Sequence, residues 1–264
     1  MKDKIKRTIN DIIFIWQFSL EDFRLKYAGS VAGFAWAILN PISTILIYWF
    51  IFQVGFKSQP VENVPYILWL ISGLLPWFFL SEAIPSSAAC MVEYSYLVKK
   101  IRFNINILPL IKVFSILYIQ IVLNVVLMIL FCVYGYWPSY YYFQLIYYLI
   151  YMIVFTVGIA YLISTIYVFF KDTIQIVTIL LQVVFWTTPI VWSLDIFSEP
   201  VIRQVLMKTP VFFIVNGFRN TYINKIWFWQ DELVELYYWA IAFAVLLVGI
   251  CCFRKCKTHF ADVL

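Results

Sequence analysis

Apolar stretches follow one another along this 264-residue chain with little polar sequence between them. Six are long enough to cross a hydrocarbon core of about 30 Å, near residues 31–56, 65–90, 105–135, 141–169, 174–194 and 236–253. Each predicts an α-helix, because a backbone in lipid must satisfy its own hydrogen bonds. Pro41, Pro76 and Pro85 are expected to interrupt the first two. Such breaks survive only where neighbouring helices or a water-filled path satisfy the freed groups. Residues 5–23 show a different pattern: Ile5, Ile9, Ile12, Ile13, Trp16, Leu20 and Phe23 share one helical face, with Lys2, Lys4, Lys6 and Arg7 at its start. This spacing predicts an amphipathic helix lying in a membrane interface. The segment 195–235 carries Pro200, Pro210 and a short apolar run at 211–215, too short to span. It predicts re-entrant or interfacial helices.

Composition places the whole chain in the same solvent. Hydrophobic residues make up 64% and charged residues 12%, against about 25% charged in soluble domains. The expected fold is therefore all-α and membrane-embedded, with six transmembrane helices in one domain, 1–264. Within it, 1–29 is the interface helix, 31–253 the membrane domain and 254–264 a tail. The net charge of +5 does not point to nucleic acid; its distribution carries the information. With the N-terminus inside, fourteen Lys and Arg fall in inner segments and five in outer ones. The positive-inside rule then puts both termini in the cytoplasm. The aromatic clusters at 137–142 and 227–239 sit at predicted outer boundaries, as interfacial anchors do.

Little of the chemistry of an enzyme is present. His259 is the single histidine, and no catalytic constellation can be assembled around it. Cys90, Cys132, Cys251, Cys252 and Cys256 imply no disulfide framework. Cys252, Cys256 and His259 lack a fourth metal ligand, so no metal site is expected. The basic start is not followed by a cleavable apolar core, so no signal peptide is expected. Glu82, inside the second helix, is the exceptional carboxylate, readable as functional or as a hydrated group beside a helix break. An ion-driven transporter needs buried carboxylates or ion sites in related halves, and no repeat is visible. No GxxxxGK[ST] loop occurs either. If transport is active, its energy comes from another polypeptide.

One stretch goes beyond composition. Residues 22–41 place Asp22, Arg24, Lys26, Tyr27, Ser30, Gly33, Trp36 and Pro41 in the pattern D-x-[RK]-x-[RK]-Y-x-x-S-x-x-G-x-x-W-x-x-x-x-P. This resembles the opening of the ABC-2 type permeases that export bacterial polysaccharides. Gly73–Phe79 is similar to that family's G-L-x-P-[WF] segment, and Leu97–Phe103 with Ile107 to Pro109 to its cytoplasmic loop. Phe169–Asp172 resembles its F-[FV]-R-D turn with Lys171 in place of Arg, Thr188–Ile190 its [ST]-P-[IV], and Phe218-Arg219 its aromatic–Arg pair. The ending Phe260–Leu264 looks most like that of O-antigen exporters. Thr209-Pro210 stands where many members read N-P.

The resemblance implies a homodimeric channel working with two copies of an ABC ATPase subunit. ATP and Mg would be bound by that partner and no cofactor by this chain. The substrate would be a lipid-linked polysaccharide crossing the bacterial inner membrane. A wall teichoic-acid exporter is the alternative within the class, and a membrane enzyme acting on lipid-linked sugars lies outside it. Glu93, Tyr96, Leu97, Lys99, Lys100, Arg102 and Phe103 would form the ATPase-coupling loop, mixing anchors and charge as docking segments do. Arg24, Lys26 and Tyr27 would contact the ATPase or lipid headgroups. Tyr48, Trp49, Phe52, Trp77, Phe78, Phe185 and Trp186 are expected to supply pore-lining rings, by analogy with aromatic platforms for single strands. Pro210, Phe218 and Arg219 would belong to an outer gate.

Overall fold

A computed structural model describes residues 2–29, 31–57, 60–62, 64–98, 104–196, 198–230 and 232–264. Its elements are helical. The amphipathic N-terminal segment forms α1 (Lys2–Tyr27). The first apolar stretch forms α2 (Ala35–Trp49), which runs on through a wider π-turn at Phe50–Gly55. Then come α3 (Tyr66–Glu93), the short α4 (Ser95–Val98), α5 (Leu108–Val133) and α6 (Gln144–Phe169). The remainder is α7 (Thr173–Thr187), α8 (Pro200–Met207), α9 (Pro210–Arg219), α10 (Glu232–Cys256) and α11 (Phe260–Val263).

Five of these regions are long and apolar enough to cross a membrane, or six if α8 and α9, bent by 89°, count as one span. Two sequence expectations are corrected here. Pro41, Pro76 and Pro85 do not interrupt their helices; α2 and α3 run through them. Helix α3 tolerates its prolines because it is the central element, with 78% of its apolar window buried among neighbours. The stretch expected to span at 174–194 ends its helix at Thr187, and fifteen residues measure about 22 Å. The stop has a local cause. Thr188 precedes Pro189 and is extended (ψ 136°), since a residue before proline is driven out of the helical region.

Around α3 pack α5, α6, α9, α7 and α2, while α10 lies along α6 and α1 along α5. The α6–α10 contact is made backbone to backbone. A Cβ added to Gly158 would stand 2.7 Å from the Leu246 nitrogen, and one on Gly249 would stand 2.3 Å from the Gly158 carbonyl oxygen. Small residues that admit such close approach are a main device of helix association in membranes, where hydrophobic driving force between helices is missing. Polar termini are closed locally. Thr209 accepts the Phe212 amide at 3.3 Å to cap α9, and Gly135, at φ +87°, takes the left-handed turn that ends α5.

Candidate functional site

Three assemblies stand out from the packing, and each gathers residues far apart in sequence. The first is at the α4 end, where α1, α3 and α5 meet. Lys112 on α5 donates to Asp22 on α1 at 2.7 Å and to Glu93, the last residue of α3, at 2.6 Å. Its ammonium also lies 5.0 Å from the centre of the Tyr94 ring. Tyr94 donates its hydroxyl to Asp22. Burial first, then that bond to the carboxylate, pushes the Tyr94 phenol well above its ordinary value. Together with Lys26 and Ser86 these groups line a cavity of about 350 Å³. A second ion pair joins the same helices: Lys26 of α1 bonds Glu82 of α3. The exceptional intramembrane carboxylate therefore has a cationic partner and is about one-third exposed.

Beyond this knot begins the segment that the sequence expects to dock on an ATPase. On α4, Tyr96 is exposed while Leu97 and Val98 turn inward. Lys99, Lys100, Arg102 and Phe103 lie outside the described residues. The C-terminal segment packs against this end: Phe260 is fully buried, 5.3 Å from Phe253 and 6.0 Å from Phe169, and sets α11 beside α4. Of the residues expected at the approach to the first span, Arg24 forms an exposed pair with Glu21 at 2.9 Å. Tyr27 packs edge-on against Phe23 and Phe34.

The second assembly is an aromatic wall. Tyr48, Trp77, Phe78, Phe185 and Trp186, with Thr44, Leu74 and Gln182, line a cavity of about 290 Å³ between α2, α3 and α7. Phe185 sits at its centre, 5.6 Å from Tyr48, 5.3 Å from Trp77 and 5.2 Å from Trp186. Phe52 continues the wall, 6.5 Å from Tyr48 and 6.2 Å from Tyr66. Trp49 is half-buried against the same cluster without lining the cavity. Trp77 and Phe185 are buried and Trp186 is exposed, so the rings offer one accessible edge on a packed base.

The third is a clamp at the opposite end. Arg219, at the last turn of α9, is buried to 4% exposure. Its two Nη groups donate to the carbonyls of Pro189 at 2.7 Å and Ile190 at 2.8 Å. Its guanidinium carbon lies 3.5 Å from the centre of the Trp69 ring, a cation–π geometry. Gly73 makes room: a Cβ there would come within 2.6 Å of an Nη. Tyr66 adds a bond to the Val191 carbonyl at 2.7 Å. The motifs at 73–79, 188–190 and 218–219 thus converge on one point. The chemistry explains the cation. Irregular backbone at membrane depth is tolerated only when protein groups satisfy it, and a planar fork reaches two adjacent carbonyls at once. Phe218 is fully buried beside it, and Pro210 starts α9 where its missing N–H costs nothing.

Sequence reasoning missed Asp22 and Lys112 as an ion pair, Tyr94 as its bridge, and Trp69 as the ring under Arg219. A basic residue four positions inside an apolar helix, as Lys112 is, was the available signal.

Residues 15–223 match the family described as ABC-2 type transporter. A relative from Klebsiella pneumoniae, the O-antigen export system permease protein RfbA, is 29% identical over 246 residues, covering 92% of each chain. Another from Klebsiella pneumoniae is 28% identical over the same span. An RfbA from Myxococcus xanthus is 28% identical over 242 residues and 91% of each chain.

Proposed function

This chain belongs to the ABC-2 type transporter family, and we propose that it is the channel-forming permease subunit of an exporter that moves a lipid-linked, O-antigen-like polysaccharide across the bacterial inner membrane. The chain is a transport subunit, and ATP is hydrolysed by a separate ABC ATPase, which holds ATP and Mg. Two copies of this chain would pair with two of that partner.

The geometric observation that carries the reading is the aromatic wall of Tyr48, Trp77, Phe185 and Trp186 around its cavity. Flat rings offer the C–H faces of sugars a broad contact without trapping charge, as ring platforms do for successive bases. The face of α2 beside it is nearly bare, with 6% of its apolar window buried. Ile42, Leu46, Ile47 and Phe50 on α2 and Ile179, Leu180 and Val183 on α7 are all exposed. A second copy covering this face would close a path between the two walls.

Orientation follows from the charge bias, with both termini in the cytoplasm. Helix α1 lies in the inner interface with Ile12, Ile13 and Trp16 outward. Helix α7 enters the membrane and ends in the buried turn at 188–191, which Arg219 holds. Helices α8 and α9 form a re-entrant gate at the outer side, held by Arg219. Tyr96 and the basic residues after it dock on the ATPase.

The reading is tested by purifying the tagged chain in mild detergent from its native cells. The expected result is an ABC ATPase in equal amount, with ATP turnover in the complex. A chain that comes out alone in several detergents would overturn the reading and redirect attention to enzymes of lipid-linked sugars.

A further inference from the structure

A column of rings runs through the α4 end of the molecule. Tyr161 of α6 meets Phe253 of α10 edge-on at 5.2 Å, and Phe253 meets Phe260 of α11 edge-on at 5.3 Å. Phe260 in turn lies 6.0 Å from Phe169, near the end of α6. Tyr161, Phe253 and Phe260 are all buried. Edge-on ring pairs add to what burial alone contributes.

The column reaches both ends of the segment 95–107. At one end α11 packs against α4. At the other, the Tyr161 hydroxyl donates to the Asn106 carbonyl at 2.7 Å. Val98 and Ile107 are buried, Leu97 and Ile105 pack on the core, and Tyr96 is exposed. The segment is thus gripped from inside at both ends while one ring points outward.

That grip changes where a push on the segment would go. A helix of four residues does not hold its shape alone. The chain connects it to α3 and α5. The column adds α6 and α10, whose backbones touch at Gly158 and Gly249 and so form one closely packed body. Packed side chains between rigid helices are a physical route for such coupling.

We propose that Tyr161 and Phe260 are positioning residues for coupling: they seat both ends of 95–107 on α6 and α10, so that movement of the ATPase partner is passed to this helix pair. The proposal rests on the exporter reading, which takes 95–107 as the docking segment.

The test uses the full chain with its ATPase partner in proteoliposomes, and measures polymer exported per ATP hydrolysed. Tyr161→Phe keeps the ring and removes the bond to Asn106. The ratio should fall about three-fold, and amide hydrogen exchange across 104–108 should quicken about five-fold. Phe260→Ala should lower the ratio further, and Phe260→Leu should restore most of it by refilling the space. Phe131→Ala is the control. Its ring is equally buried but packs on Tyr136 and Tyr222, away from the column. It should cost stability and leave the ratio unchanged. A wild-type ratio or wild-type exchange in Tyr161→Phe, or equal loss of ratio in Phe260→Ala and Phe131→Ala, would overturn the proposal. If Phe260→Ala yields no folded complex, Tyr161→Phe decides alone. A wild-type complex without ATP-dependent export would overturn the exporter reading itself, and the coupling role with it.

Discussion

The two ends of the molecule handle buried charge in opposite ways. At the α4 end, Lys112 shares two carboxylates from two other helices, and Glu93 is about half exposed. Each bond there has a neighbour that could take its place, and water reaches the edge of the group. At the clamp end, Arg219 bonds no carboxylate among the described residues: it is held by two carbonyls, a ring face and the gap at Gly73. Nothing there can be exchanged without leaving backbone unpaired. The first arrangement suits a joint that moves; the second suits a fixed point. An exporter that transmits motion from one side while keeping the other shut needs one of each.

That contrast can be broken experimentally. The largest effect is expected from Arg219→Met, which strips donors from two buried carbonyls at about 1–3 kcal/mol each. Arg219→Lys should recover little, since an ammonium cannot reproduce the fork. Both should show as loss of monodisperse protein in fluorescence-detected size exclusion after a heating step. A Lys substitution that behaves as wild type would sink the fixed-point account.

A smaller effect, of roughly 3 kcal/mol, is expected from Lys112→Met, which leaves Asp22 and Glu93 facing each other without a cation. Adding Asp22→Asn should restore much of the melting temperature, because removing both partners is far cheaper than removing one. If the knot transmits motion, the double variant will remain poor in ATP-driven export despite its recovered stability. Equal recovery of export and stability would make the knot merely structural. The smallest effect belongs to Arg24→Ala. Its pair with Glu21 is exposed on both sides, and loss within about 0.5 kcal/mol is expected from thermal melts.

Much of the fold could be read from the chain. The apolar windows fell within a few residues of α3, α5 and α6, and the spacing from Ile5 to Phe23 anticipated α1. The reading failed at Pro76 and Pro85, where proline was expected to break a helix that the surrounding bundle holds straight. At 174–194 the helix stopped short at Thr187, where Pro189 outweighed apolar composition. Of the aromatic residues singled out, Tyr48, Trp77, Phe78, Phe185 and Trp186 line one cavity, while Trp49 and Phe52 do not. The basic residues from Lys99 to Arg102 lie outside the described residues, so their arrangement adds nothing to this comparison.

What the sequence by itself determined was the solvent, the helical class and the family, because apolar length, charge bias and local motif order are properties of neighbouring residues. Only the tertiary structure decided which charges meet. Asp22 and Lys112 are separated by 90 positions, Lys26 and Glu82 by 56, Arg219 and Pro189 by 30. No periodicity along one helix encodes a pairing between two helices. In a low-dielectric interior that pairing settles whether a charge is a hinge, a fixed point or a cost.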